Sequence, residues 1–147
     1  MTYQFEQTKA GNPVDLHWYH GNPDVLKQHG LPAKGNNTLF IGDAGMLLCG
    51  FNQLRLLPED SFADFQSPEP FIPDSPGFHQ EWISACKGGP PATCNFEYSG
   101  PLAETVLLGN VAYRGGGFQW DSESLTARGN PESQNLIREE YREGWQI

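Results

Sequence analysis

No segment of this 147-residue chain has the G-x-G-x-x-G spacing that lets backbone amides at a strand-to-helix turn reach a pyrophosphate. The nearest runs are Gly115-Gly116-Gly117, Gly88-Gly89 and Gly42-Asp43-Ala44-Gly45. A dinucleotide-binding loop is therefore not expected within these residues, and neither is a bound cofactor. Basic residues are scarce: nine Lys and Arg stand against eighteen Asp and Glu, for a net charge of −9. That balance argues against nucleic acid, which demands clustered cations, and against an anionic membrane surface. The three cysteines, Cys49, Cys86 and Cys94, include no C-x-x-C pair; an odd count of this kind suits a reduced, cytoplasmic protein better than a disulfide scaffold. No apolar run approaches the roughly 18 residues of a membrane span, and the polar N-terminus carries no signal-peptide core. Neither an H-E-x-x-H pattern nor a G-x-S-x-G elbow occurs, so no metal site and no serine nucleophile is expected.

What is present is turn chemistry and aromatic side chains. Glycine and proline number 17 and 12, enough to punctuate the chain into short elements. Residues 2–7 alternate, with Tyr3 and Phe5 on one face. Residues 9–13 are turn-forming, and residues 14–20 alternate again, with Val14, Leu16 and Trp18 on one face, which predicts a hairpin. Residues 22–36 read as a surface excursion. A second hairpin is predicted from residues 37–41 and 45–49 about the Gly42–Gly45 turn, with a further strand at 53–57 ended by Pro58. The prolines between 58 and 76 predict an extended crossing.

Helical spacing follows. Ser75 with Pro76 reads as a cap with proline at the first helical position. Phe78, Trp82, Ile83 and Cys86 then fall on one face, with Trp82 expected in the core, and Gly88 ends the helix. A second helix is predicted from Pro101 to Gly115, with Leu102, Thr105, Val106, Leu108, Gly109 and Ala112 toward a core. Gly109 inside it implies a close approach by another element. A short strand at 118–120 leads to Asp121, and Asn130-Pro131 caps a last helix carrying Leu136, Ile137 and Tyr141 to about Gly144, with Trp145 as an anchor. Strands first and helices after, with hairpin connections, predict a single α+β domain: a mostly antiparallel β-sheet with about three helices packed on one face.

The strings SPGFHQEWISACKGG (75–89), NFEYSGPLAETVLLGNVAYR (95–114), FQWD (118–121) and NPESQNLIREEYREGW (130–145) resemble the C-terminal domain of Gfo/Idh/MocA-type oxidoreductases, in the subgroup abundant in planctomycetes and Bacteroidetes. Upstream, PVDLHWYHGN (13–22) and GNNTLFIGDAGMLLC (35–49) resemble paired strands of the same domain. The resemblance implies an enzyme that moves hydride between NAD(P) and a sugar, cyclitol or other polyol. Its N-terminal Rossmann domain would hold the cofactor, and its sheet would contact substrate and a second copy. The family's cofactor loop, its Glu-Lys-Pro segment and its Asp-x-x-x-His motif are not among these residues; Asp24 and His29 are one residue too far apart. Phe78 stands where many relatives have a histidine before His79. The acid/base residues would then precede Met1, and this chain would be the substrate-side, oligomerising half, with no catalytic residue of its own. A second expectation is a non-enzymatic scaffold that dimerises or pairs with a separate Rossmann protein.

The residues offered for sugar or polyol contact are His17, Trp18, His20, His79, Asn95 and Tyr98. An aromatic ring can stack on a sugar face while imidazole, carboxamide and phenol groups bond its hydroxyls. By alternation His17 and Tyr19 share one strand face, and Trp18 and His20 the other. His79 lies in the first turn of the predicted helix, and Asn95 and Tyr98 precede the next. Glu104 is a candidate to pair with Arg114 or to bind a neighbouring loop.

Overall fold

The computed structural model describes residues 1–8, 11–21, 23–31, 38–51, 53–138 and 140–145. Residues 9–10 of the first predicted turn, Asn22 and residues 32–36 of the excursion, and the predicted strand start at Asn37 lie outside them. The fold is α+β with antiparallel strand pairing throughout, distributed over three small sheets. The chain divides into two compact units, one of residues 1–17 and 74–147 and the other of residues 18–73.

The second unit is built on a three-stranded meander, β3 (Thr38–Gly42), β4 (Gly45–Gly50) and β5 (Gln53–Leu57), preceded by a five-residue helix α1 (Asp24–Gln28). Gly42 pairs Gly45 across the two-residue turn, as the sequence predicts. Cross-strand partners share a face. Leu39, Leu48 and Leu57 therefore lie on one side of the sheet, where Leu26 and Leu31 complete a small core in which Leu48 is almost wholly buried. The opposite face carries Phe40 and Leu54, both exposed. The crossing after Pro58 is not wholly irregular: residues Glu59–Phe62 form a 3-10 turn, and Arg55 bonds Glu59.

The first unit begins with the predicted hairpin, β1 (Thr2–Phe5) and β2 (Val14–His17), in the register Tyr3↔Leu16 and Phe5↔Val14. Strand β2 stops at His17, so Trp18 and His20 are not strand residues and the predicted alternation does not extend to them. Helix α2 spans Phe78–Cys86, with Gly77 rather than Ser75 at its N-cap and no side-chain cap. The φ of +107° at Gly77 admits the chain to the helix at a conformation open to glycine. Trp82, expected in the core, is 65 % exposed, and Phe78 and Ile83 are exposed with it.

Helix α3 spans Phe96–Gly115 and starts a turn earlier than Pro101 predicts. The Asn95 side chain accepts from the Tyr98 amide at 3.2 Å, and this cap outweighs the proline, which is accommodated inside the second turn. Thr105, Leu108, Gly109 and Ala112 do turn inward, whereas Leu102 and Val106, expected beside them, are exposed. The close approach expected at Gly109 is present: a Cβ there would lie 2.2 Å from the Tyr3 hydroxyl.

Strand β6 (Gln119–Asp121) pairs with β7 (Thr126–Arg128), and α4 follows at Pro131–Asn135. The predicted last helix is thus cut to five residues. Leu136 and Ile137 close it with 3-10-type bonds to Ser133 and Gln134, and Tyr141 lies beyond it. Trp145, offered as an anchor, is exposed beneath the Arg142 guanidinium, 4.4 Å from the ring centre.

One junction ties α3, β7 and α4 together. Asn130 Oδ1 accepts from the amides of Glu132 and Ser133, while its Nδ2 donates to the Gly115 and Gly117 carbonyls at 2.8 and 3.1 Å. The fully buried Ser133 donates to the Gly116 carbonyl, and Gln134 accepts from the Ala127 amide. An added Cβ at Gly115 would meet the Ser133 backbone at 2.9 Å.

Gly115→Ala is expected to cost about 1–3 kcal/mol in denaturant unfolding, because backbone cannot step aside. Gly109→Ala meets only the flexible ends of Tyr3 and Met1; with alanine's helix propensity in its favour, it should stay within about 1 kcal/mol of the parent. Asn130→Asp keeps the cap but turns a carboxylate oxygen onto two carbonyls, and a loss of about 1–3 kcal/mol is expected. Equal unfolding midpoints for the parent and Asn130→Asp would contradict the account of the junction.

Candidate functional site

The residues offered for polyol contact divide between the two units. His17, His79, Asn95 and Tyr98 belong to the first, and Trp18 and His20 to the second. His17 ends β2 opposite Thr2, whose hydroxyl lies 3.0 Å from His17 Nδ1. His79 is exposed in the first turn of α2, its ring 4.3 Å from that of Phe78 at a 50° tilt. Asn95 is half-buried, its carboxamide oxygen committed to the cap of α3, and Tyr98 is 64 % exposed in the first turn of that helix. In the second unit Trp18 is exposed, and His20 lines a shallow, open depression with Tyr19, Pro23, Asp24, Val25 and Gln28. Asp24 and His29 lie on α1 and at its C-cap rather than in a loop, and Asp24 pairs with Lys27.

What joins the entry of α2 to the loop before α3 is a residue not singled out from the sequence. Glu81 receives a hydrogen bond from the Ser75 hydroxyl on one oxygen. Its other oxygen accepts from the Thr93 amide at 2.9 Å and the Thr93 hydroxyl at 2.7 Å. Ser75 in turn accepts from the Gly77 amide, and the Asn95 amide donates to the Ala92 carbonyl. One carboxylate therefore holds the entry to α2 and the loop into α3. The Ser75 hydroxyl, then the Thr93 amide and hydroxyl, hold the Glu81 carboxyl below the usual carboxylate range. The six- and twelve-residue separations match no capping-box spacing, so no local pattern announces this clamp.

A second acidic turn lies at β6–β7. Asp121 accepts from the Glu123 and Ser124 amides and bonds Arg128. The Ser124 hydroxyl and amide, followed by the Arg128 charge and the Glu123 amide, lower its pKa. The D-x-x-S string is a side-chain turn signal that would have found β7. Glu104 accepts from the Trp120 indole at 2.7 Å, which ties β6 to α3; of its two expected partners it is a neighbouring segment, not Arg114, that it meets.

The three glycine runs lie at helix ends and in a hairpin. Gly115–Gly117 ends α3 and follows it, and its carbonyls serve Asn130 and Ser133. Gly88 and Gly89 close α2, with the Gly89 amide bonded to Ser84, and Gly42 and Gly45 flank a hairpin turn. Among the described residues no group of three His, Cys, Asp or Glu side chains is placed to hold a metal ion, and no helix is long and apolar enough to cross a membrane. No protein-family model, curated protein or solved structure matches the chain.

Both carboxylates bind their donors as anions. With folded pKa values below the unfolded ones, the stability they contribute is full above the unfolded carboxylate range of about 4 and is lost as pH falls through the lower folded values. Protection of the Thr93 and Ser124 amides, taken as intrinsic over observed exchange rate, is expected to fall only in that acidic window. Loss of protection at neutral pH would show that the carboxylates do not hold these turns.

Proposed function

We propose that these residues form the substrate-facing, self-associating part of an NAD(P)-dependent sugar or polyol oxidoreductase of Gfo/Idh/MocA type. The nucleotide would be held by a Rossmann domain, on the same polypeptide or on a separate one. The cofactor supplies the hydride chemistry when that domain binds it; the work of this chain is to hold the polyol and a second copy.

One observation carries the reading. The segments that bear the family resemblance build a hydrogen-bonded frame through Glu81, Asn95, Asn130 and Ser133, yet large aromatic side chains of those segments lie open. Phe78, Trp82, Phe96, Tyr98 and Tyr113 are all more than half exposed. Exposed aromatic side chains grouped in this way are characteristic of a part that works covered, by a ligand or by other protein. Aromatic rings beside imidazole and phenol groups suit a polyol, whose C–H faces stack and whose hydroxyls bond.

The same open surface also favours a second reading, a scaffold that only binds protein. Two-dimensional amide NMR of the chain, titrated with NADH, NADPH, D-glucose and myo-inositol in turn, separates the two. The oxidoreductase reading expects polyol-induced shifts at His79 and Tyr98 and at His17–His20, with none from either nucleotide. Saturable nucleotide binding, or silence toward both polyols, would sink it; silence toward all four ligands leaves the scaffold.

A further inference from the structure

We propose that the depression beside α1 is the polyol site of the second unit, where the Tyr19 ring stacks on one face of the ligand and His20, Asp24 and Gln28 bond its hydroxyls. The proposal rests on the oxidoreductase reading and deepens it. It gives that reading one place, within one unit, where an aromatic ring and hydrogen-bonding groups line the same concavity. The chain bends at residues 20–21, where Gly21 has a φ of +102° that favours glycine, and enters α1 directly after Pro23.

The packing of α1 explains which side chains face the depression. Leu26 is buried in the small core with Leu48, and Val25 packs against that core. Residues four apart share a helix face, so Asp24 and Gln28 stand together, on the side away from Leu26. Burial of Leu26 therefore turns both polar side chains outward. Pro23 and Val25 are half-buried and supply the apolar part of the lining, and Tyr19, His20, Asp24 and Gln28 are exposed around it.

This set of groups selects a chemical class. Tyr19 offers a flat ring and a hydroxyl, and His20 and Gln28 each donate and accept. Asp24 brings a carboxylate; Lys27 pairs with its Oδ1 at 3.2 Å, and Oδ2 can still accept from a hydroxyl. A purely apolar ligand would leave these groups without partners, and an anion would meet the Asp24 charge. A cyclic polyol has a C–H face for the ring and a rim of hydroxyls that both donate and accept. The volume of 510 Å³ lies within the range of about 300–1,000 Å³ usual for small-molecule sites. Because the depression is shallow and open, it holds one face of the ligand, and binding of about millimolar strength is expected.

The test is amide NMR of the full chain and of Tyr19→Ala, Tyr19→Phe and Asp24→Asn, each titrated with D-glucose and with myo-inositol. Saturable shifts over residues 19–20 and Asp24–Gln28 are expected in wild type. Tyr19→Ala is expected to weaken binding about tenfold, whereas Tyr19→Phe keeps the ring and should stay within about threefold of wild type. Asp24→Asn keeps the shape but loses the anionic acceptor and should also weaken binding. The substituted side chains are exposed, and unmoved Leu48 methyl signals from the core report that the unit stays folded.

Saturable polyol shifts at His79 and Tyr98 with none over Asp24–Gln28, or undiminished binding by both Tyr19→Ala and Asp24→Asn, would overturn this site and leave the functional reading intact. No polyol response in wild type would instead remove the functional reading, and the site with it.

Discussion

The carboxamide of Asn130 is the point on which the C-terminal half of the first unit depends. It caps α4 with its oxygen and holds the carbonyls after α3 with its nitrogen. Helix ends leave amides and carbonyls unpaired, and a fold that brings two such ends together must satisfy both. One asparagine does so at α4 and α3 simultaneously, and Ser133 takes the remaining Gly116 carbonyl from a fully buried position. Gly115 is glycine because the Ser133 backbone occupies the space a side chain would need. The order of α3, β6, β7 and α4 follows from this contact, with the Trp120–Glu104 bond as a second tie.

Polar ties of this kind recur where hydrophobic burial is thin. Among the described residues the buried apolar side chains are Leu26, Leu31, Leu48 and Ala127, three of them in the second unit. The first unit is organised instead by Glu81, Asp121 and Asn130, each a side chain that collects several backbone or hydroxyl donors. Such anchors define local geometry well but leave apolar faces uncovered. The substrate-facing, self-associating role proposed above would draw on both the directional bonds and the open aromatic faces.

Local patterns were legible where the chemistry is local. The two N-terminal hairpins, the Gly42–Gly45 turn, the Asn130-Pro131 cap and the meaning of Gly109 could all be read from adjacent residues. The errors share a cause. Periodicity places Trp82, Leu102 and Val106 toward a core because it reports which residues share a helix face, not whether anything packs against that face. Pro101 reads as a helix start as long as the Asn95 cap, six residues earlier, is read as a ligand contact. The strand through His17 was carried on to His20 because alternation has no stop signal of its own.

The sequence by itself determined the type and order of most elements, though not α1, the 59–62 turn or β7, together with the antiparallel pairing and the acidic, aromatic, glycine-rich composition, because propensity, capping and alternation act over a few residues. Only the tertiary structure decided that Glu81 joins Ser75 to Thr93, that Asn130 closes the end of α3 and that Glu104 serves Trp120 rather than Arg114. Each of those bonds spans from six to sixteen residues. At that range an acceptor's partner is chosen by where the backbone brings the donors, and no spacing rule encodes it.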